Sequence, residues 1–436
     1  MSAYKDRILR DPLYGFIDLD ISFIQDIINS SYFQRIRCIA QTGVSSFTYP
    51  SATHTRFAHS LGAMHVFRRI YDPILRQEDL KREDKIYLMS LGCASALLHD
   101  IGHGPYSHLT EEPLDFQHEK ISADIVEQTE IGETLESNSI PKKKFREILS
   151  HTVSGNETPI SQLISSELDA DRLDYLVRDA YFTGVRFAGI DVDRISHLLK
   201  VYHGSSPANG GVVIQKKGKY SIESYVLARH IMYQDVYYHK TTRGVEVLIG
   251  KAIERVKDLP TEKAELPPEL GFIRERGAGF EDIIKLDDPL LFRAICDWSK
   301  SDDETLSALA KRIIYRDLLK SIELSRDREH EYSDGLDAKI AELAERNGFK
   351  EPEYFCAQDF ATETPYRPYK APTKKSEDVS KGTVITSIFL WDGINDPEEI
   401  NDVSDIVRTL TSKSYASRLY VPGKIKDEVN SMFTKE

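Results

Sequence analysis

The chain has 436 residues, 40% hydrophobic and 29% charged, which is enough for two or three domains with ample core. A net charge of −13 excludes a general nucleic-acid binder, which needs clustered Lys and Arg to displace counterions. It leaves room for a local basic pocket for a small polyanion. The four cysteines (Cys38, Cys93, Cys296, Cys356) lack CxxC spacing, so neither a disulfide framework nor a zinc ribbon is implied. No run approaches the roughly 18 apolar residues of a membrane span, and the N-terminus lacks an apolar targeting segment. A cytoplasmic address is expected.

In chain order, residues 7–18 read as a short strand or turn. Residues 21–40 form a helix with Ile24, Ile27, Ile28, Phe33, Ile36 and Ile39 at helical spacing, interrupted at Ser30 and Ser31. Residues 57–75 and 85–98 are two apolar helices, the second stopped by the turn Gly102-His103-Gly104-Pro105. Residues 117–150 suggest two more helices, with the lysines at 142–144 a solvated basic run, and residues 160–182 a helix rich in carboxylates. GVVIQKKGKYSIES carries two β-type runs and predicts a hairpin; residues 225–256 read as one long helix, and 260–330 as helices between polar linkers. After about Asn347 the segments EPEYFCAQDF, GTVITSIFLW and YASRLYVP resemble strands, with polar residues 370–382 between them as a mobile loop. The expected fold is mainly α: a helical body over residues 1–330, with a small hairpin, and a small α/β C-terminal subdomain over 331–436.

The chemistry concentrates in residues 51–180. SATHTRFAHSLGAMHVFRRI and LMSLGCASALLHDIGHGPYSH place histidines on faces that should be buried, and the second helix ends in an adjacent His-Asp pair. Burying such groups without partners costs several kcal/mol each. His59, His99, Asp100 and Asp171 supply two nitrogens and two oxygens for one cation, with Asp169, Asp174 and Asp179 competing for the last place. That donor set suits Fe, Mn, Zn, Ni or Co without choosing among them. His54, His103, His108 and His118 flank the same helices, and imidazoles beside a metal serve phosphate oxygens and acid–base steps.

The landmarks RDPLYGFIDL, YFQRIRCIAQTG, HTRFAHSLG, LLHDIGHGPYSH, DADRLDYLVRD and YQDVYYHK span roughly residues 7–325. Together they resemble the HD-domain metal-dependent phosphohydrolases, and within them the deoxynucleoside triphosphate triphosphohydrolases. That branch includes bacterial enzymes and the vertebrate antiviral factor that carries a sterile-alpha-motif domain; no such extra domain is expected here. The resemblance implies a helical HD fold and hydrolysis of a dNTP to deoxynucleoside and inorganic triphosphate. It implies one divalent ion (Fe, Mn, Zn, Ni, Co or Mg) on His59, His99, Asp100 and Asp171, with Mg accompanying the nucleotide. Asp171 is singled out because it precedes Arg-Leu-Asp-Tyr as the family's ligand precedes its own basic-x-Asp-Tyr run.

By the same resemblance, Arg56, Arg172 and Arg229 contact phosphates. His103, His108 and His118 match catalytic and phosphate-contacting histidines, and Glu111 stands where the antiviral enzyme has Asp beside the last-named chemistry. Gln41, Tyr175, Asp179 and Tyr237 match the deoxyribose pocket, with Thr42 replacing the family's Leu after Gln41. Gln34, Arg37, His239, Lys240, Arg316 and Lys320 match positions that bind an activating nucleotide between subunits, implying a homo-oligomer, dimer or tetramer. Arg316 and Lys320 read as neighbours one turn apart on a helix. Asn29 replaces the Asp that reads guanine there. Two other functions fit parts of this pattern: an HD phosphohydrolase for a different nucleotide phosphoester, and a nucleotide-sensing binding protein. The intact metal quartet argues against the second.

Overall fold

The computed structural model describes residues 7–186, 189–204, 211–264, 266–324, 336–369 and 384–433. Residues 7–18 form an antiparallel hairpin, β1 (Ile8–Asp11) and β2 (Gly15–Asp18). Its turn is held by the Asp11 carboxylate, which accepts from the N–H groups of Leu13 (2.8 Å) and Tyr14 (3.2 Å). Helix α1 (Ser22–Asn29) stops at Ser30, whose hydroxyl accepts from Phe33 N at 3.3 Å and caps the next short helix, Ser31–Arg35.

The helical body is built on α2 (Arg56–Gln77) and α3 (Arg82–Leu98). In α2, Phe57, Leu61, Met64, Phe67 and Ile70 are buried at helical spacing against Leu88, Leu91, Ala94 and Leu98 of α3. Each such side chain contributes about 1.5–3 kcal/mol by leaving water. Residues 117–150 hold three helices rather than two: α4 (His118–Gln128), Glu130–Ser137 and Lys143–Leu149. Thr129 divides the first two, its hydroxyl donating back to Ile125 O (2.7 Å) and accepting from Ile131 N (3.3 Å). Lys144 leaves the solvated run to pair with Glu157 at 2.8 Å and Glu147 at 3.0 Å.

The expected helix over 160–182 is broken after Thr158–Ile164 and restarts as α5 (Ala170–Thr183). Asp169 is the cause: Oδ1 accepts from Arg172 N at 2.7 Å, an N-cap that requires non-helical backbone just before α5. The hairpin expected over 211–224 is corrected as well. β4 (Val212–Gln215) pairs with the upstream strand β3 (Leu199–Val201), and Lys216–Gly218 turns directly into α6 (Lys219–Met232). There Ile222, Tyr225, Val226, Arg229 and Met232 are buried on one face, so the 3.6-residue period wins over the β-type run. The single long helix over 225–256 is interrupted by a wide π turn, Tyr233–Tyr237. It resumes as α7 (Lys240–Asp258), capped by His239, whose Nδ1 accepts from Thr241 N at 3.2 Å.

Helices α8 (Asp288–Trp298) and α9 (Glu304–Ile314) follow, and α9 ends before Arg316, which sits at φ +57°. Lys320 opens β5 (Lys320–Glu323), opposite Val421. Arg316 and Lys320 are therefore not one helical turn apart.

The C-terminal part supplies a three-stranded antiparallel sheet in the order β5, β9 (Ser414–Val421), β6 (Ala357–Glu363). It packs on α10 (Asp337–Arg346) and α11 (Lys426–Met432) through Ile322, Ile340, Leu419, Val421 and Val429. Between β6 and β9, residues 384–410 return to the helical body: β7 (Phe389–Trp391) runs parallel to β4 with Leu390 opposite Ile214, and β8 (Glu398–Glu399) lies outside it. Tyr366, Ile388 and Leu390 share the main core with the helices. The expected boundary at 330 and the expected loop over 370–382 lie outside the described residues. No described helix is long and apolar enough to cross a membrane.

Candidate active site

Three helices converge on one point. The N-terminal turns of α2 carry Arg56 and His59, the C-terminal end of α3 delivers His99 and Asp100, and the first turn of α5 delivers Asp171. One donor atom from each of His59, His99, Asp100 and Asp171 falls within 4.8 Å of the others. His59 Nε2 lies 3.1 Å from Asp171 Oδ1 and 3.5 Å from Asp100 Oδ2; His99 Nε2 lies 3.5 Å from Asp171 Oδ1.

Both Nε2 atoms are buried and have no hydrogen-bond partner in the protein, although each ring is fixed from its other side. His59 Nδ1 donates to Asp174 Oδ2 at 2.8 Å, and His99 Nδ1 to Ala96 O at 2.8 Å. Fixing Nδ1 turns Nε2 towards the quartet, which is how metal-binding imidazoles are oriented. Burial works against a charged His59, yet Asp171 and Asp174 outweigh it and hold the ring up to about 10. A divalent cation would neutralise that surplus of carboxylate, and the donor set of two imidazoles and two carboxylates fits one.

The sequence offers Asp174 only as a competing ligand; its place in the structure is behind His59. It also accepts from Tyr14 OH (2.8 Å), Arg178 Nε (2.9 Å) and Arg178 Nη2 (3.0 Å), while Arg178 reaches Asp11 at 2.9 Å. The i,i+3 spacing of Asp171 and Asp174 and the i,i+4 spacing of Asp174 and Arg178 were the available signals. Where α2 crosses α5, Gly62 is obligatory: a Cβ there would overlap Asp174 Oδ1 and Arg178 Nη2.

Beside the quartet lies a second cluster, His103, His108, His118 and Glu111. Glu111 Oε1 accepts from His108 Nδ1 at 2.6 Å and from His118 Nδ1 at 3.1 Å, so the longer side chain does reach both rings. Burial raises the Glu111 carboxyl, but the two imidazole bonds dominate and lower it to about 2. His103 is fully buried, stacks on His118 with centroids 3.8 Å apart, and faces Asp100 Oδ1 at 3.4 Å. His108 is the exposed member, its Nε2 turned away from Glu111.

Arg56 is buried and ion-paired to Asp100, with Nε donating to Ser107 Oγ at 2.9 Å. Ser107 in turn donates to Ala40 O at 2.7 Å. Tyr106 and Ser107 both have left-handed backbone, φ 55° and 59°, a strain of order 1–3 kcal/mol each held just ahead of His108. Asp288, at the start of α8, clamps this turn to the neighbouring segment: Oδ1 accepts from Tyr106 N (2.6 Å) and Oδ2 from Ala40 N (2.8 Å). No local sequence pattern announces either Ser107 or Asp288.

The groups face a cavity of about 630 Å³ whose walls include Gln41, Arg172, Tyr175, Asp179 and Tyr237. Asp179 accepts from Tyr237 OH at 2.6 Å and from His54 Nε2 at 2.7 Å; the π turn aims Tyr237 at it. Gln41 Oε1 is buried and unpartnered. Arg172 is ion-paired to Asp169, whose carboxyl burial raises to about 6 against the pull of Arg172. Arg229 is buried on Glu167 at 2.8 Å and does not line this cavity.

The expected regulatory residues fall into separate local groups. Arg37 donates to Gln34 Oε1 at 2.7 Å and lies over the Phe57 ring. Arg316 donates to Phe47 O at 3.0 Å, and His239 Nδ1 lies 3.5 Å from Thr48 Oγ1, so both touch the 47–48 segment. Lys240 begins α7 and Lys320 is exposed on β5.

Two family models match this chain. The HD domain matches residues 56–179, and the HD associated region matches residues 190–347. The uncharacterized protein YwfO of Bacillus subtilis is 31% identical over 429 residues, covering 96% of this chain and 92% of its own. A deoxynucleoside triphosphate triphosphohydrolase SAMHD1 homologue of Dictyostelium discoideum is 27% identical over 377 residues, 81% of this chain and 67% of its own length. The crystal structure of a phosphohydrolase from Bacteroides thetaiotaomicron matches with a TM-score of 0.78 at 28% identity, covering 96% of this chain and 100% of that one. By its matched domain, its full-length relative and its converging His, His-Asp and Asp side chains, this chain belongs to the HD-domain phosphohydrolase family.

Proposed function

We propose that the protein is a metal-dependent deoxynucleoside triphosphate triphosphohydrolase, releasing deoxynucleoside and inorganic triphosphate. The observation that carries this reading is one cavity walled at once by members of the metal quartet, by His108 and by the Asp179–Tyr237 pair. A triphosphate ester and its sugar have their chemistry matched along one wall.

His59, His99, Asp100 and Asp171 would hold the divalent ion, which when bound supplies charge against phosphate and acidifies water. Arg56, fixed between Asp100 and Ser107, presents a guanidinium edge to the reacting phosphate. Water attacks the α-phosphorus, the bond to the 5′-oxygen breaks, and His108 Nε2 gives the proton that oxygen needs. Glu111 orients His108 for that donation through Nδ1. Asp179 accepts from the 3′-hydroxyl, and the Tyr237 ring closes the space a 2′-hydroxyl would need. Gln34, Arg37, His239, Lys240, Arg316 and Lys320 form a candidate regulatory nucleotide site between subunits of an oligomer. Support for coupling is the segment from Gln41 to Thr48, which borders the cavity at one end and touches Arg316 and His239 at the other.

Product analysis tests the reading. With Mn²⁺ and each dNTP in turn, anion-exchange separation should recover inorganic triphosphate equimolar with deoxynucleoside. Orthophosphate or pyrophosphate as the inorganic product replaces the reading with another phosphohydrolase.

A further inference from the structure

We propose that Arg367, from the C-terminal part of the chain, is a binding residue for the polyphosphate of the substrate. The inference rests on the triphosphohydrolase reading and adds to it a residue outside the HD landmarks. Four arginines line the cavity: Arg56, Arg172, Arg243 and Arg367. Three are already matched by carboxylates, Arg56 by Asp100, Arg172 by Asp169, and Arg243 by Glu246 and Asp359. Arg229, behind the wall, is matched by Glu167. Among the described residues, Arg367 alone of these has no carboxylate within ion-pair distance, and its side chain is exposed.

A polyanion entering this cavity gains most from a cation that is not already neutralised. A guanidinium has the further advantage of a fixed charge and a fork that engages two phosphate oxygens.

The backbone around Arg367 is anchored, so the cation is held near the phosphate-binding wall. Tyr366 is fully buried and its hydroxyl accepts from Ile388 N at 2.9 Å. Ser387 donates to Arg367 O at 3.3 Å, and the neighbouring Thr386 O accepts from Glu167 N at 2.9 Å. Glu167 is the partner of Arg229 and lies two residues before Asp169, the partner of Arg172. Arg367 therefore stands on the side of Arg172 and Arg229. This gives the return of residues 384–391 to the helical body a role beyond packing: it fixes a charge at the cavity.

The test is calorimetric titration of the full chain, loaded with Mn²⁺, with inorganic tripolyphosphate and separately with a deoxynucleoside. Wild type, Arg367→Ala and Arg367→Lys are compared. Tripolyphosphate should bind about tenfold more weakly to Arg367→Ala, with partial recovery in Arg367→Lys, the loss of one charge-assisted contact. Deoxynucleoside affinity and melting temperature should not change. Equal tripolyphosphate affinity in Arg367→Ala and wild type overturns the assignment and leaves the triphosphohydrolase reading in place, as does a parallel loss of deoxynucleoside binding. Failure of wild type to bind tripolyphosphate removes both.

Discussion

Asp174 Oδ2 lies 2.8 Å from Nδ1 of His59, and this contact decides which nitrogen of the ring faces the quartet. Asp174→Asn keeps an oxygen there but removes the charge that also holds Arg178. Metal affinity should fall about 10–100-fold, the usual result of losing a carboxylate behind a metal-bound imidazole. Activity should recover at high Mn²⁺, and a Mn²⁺ titration of turnover reads both effects.

Gly62→Ala tests the same region by volume alone. The added methyl must displace Asp174 and Arg178 at the crossing of α2 and α5. A destabilisation of about 1–3 kcal/mol is expected in urea unfolding, with weaker metal binding. Gly250→Ala, inside α7 where a Cβ meets nothing within 4 Å, is the control: it should raise stability by about 0.5–1 kcal/mol through helix propensity and leave metal binding unchanged.

Asp288→Asn should loosen the left-handed turn ahead of His108. One of the two N–H groups held by this carboxylate, on Ala40 or Tyr106, loses its acceptor. A buried unmade bond of this kind costs about 1–3 kcal/mol. Because the clamp sets the approach of Ser107 to Arg56, kcat should fall about tenfold while metal content stays at the wild-type level, as steady-state kinetics with metal analysis would record.

Glu111 gives a pH signature. Its carboxyl is lowered from an ordinary 4.5 to about 2, so its contribution to stability is complete above about 4.5 and lost as pH falls towards 2. After discounting for partial exposure this amounts to about 1–2 kcal/mol. Glu111→Gln should flatten that part of the acid-unfolding curve, measured by urea midpoints across the interval, and should slow turnover through misoriented His108.

Much of this site could be read from residue order, because helical spacing and an adjacent His-Asp pair are local facts. His59, His99, Asp100 and Asp171 meet as their positions on three helices require. The breaks were harder. Asp169 stops a helix that composition alone continues, and the π turn at Tyr233–Tyr237 carries Tyr237 to Asp179, a contact 58 residues away in sequence. β4 carries a local β-type run, yet its partners are β3 and the distant β7, neither of them the segment that follows it. Arg367 lies beyond the recognisable landmarks, and long-range contacts of its neighbourhood, Ile388 N to Tyr366 OH and Ser387 to Arg367 O, anchor it beside the cavity. Nonlocal contacts of this kind leave no period in the sequence.

The central claim is that four side chains hold one cation, and metal stoichiometry tests it most directly. Wild type and His59→Ala are equilibrated with Mn²⁺, dialysed, and analysed by mass spectrometry for bound metal, with circular dichroism confirming that both are folded. Wild type should retain one ion per chain and His59→Ala essentially none. Equal retention in both, or none in wild type, contradicts the account.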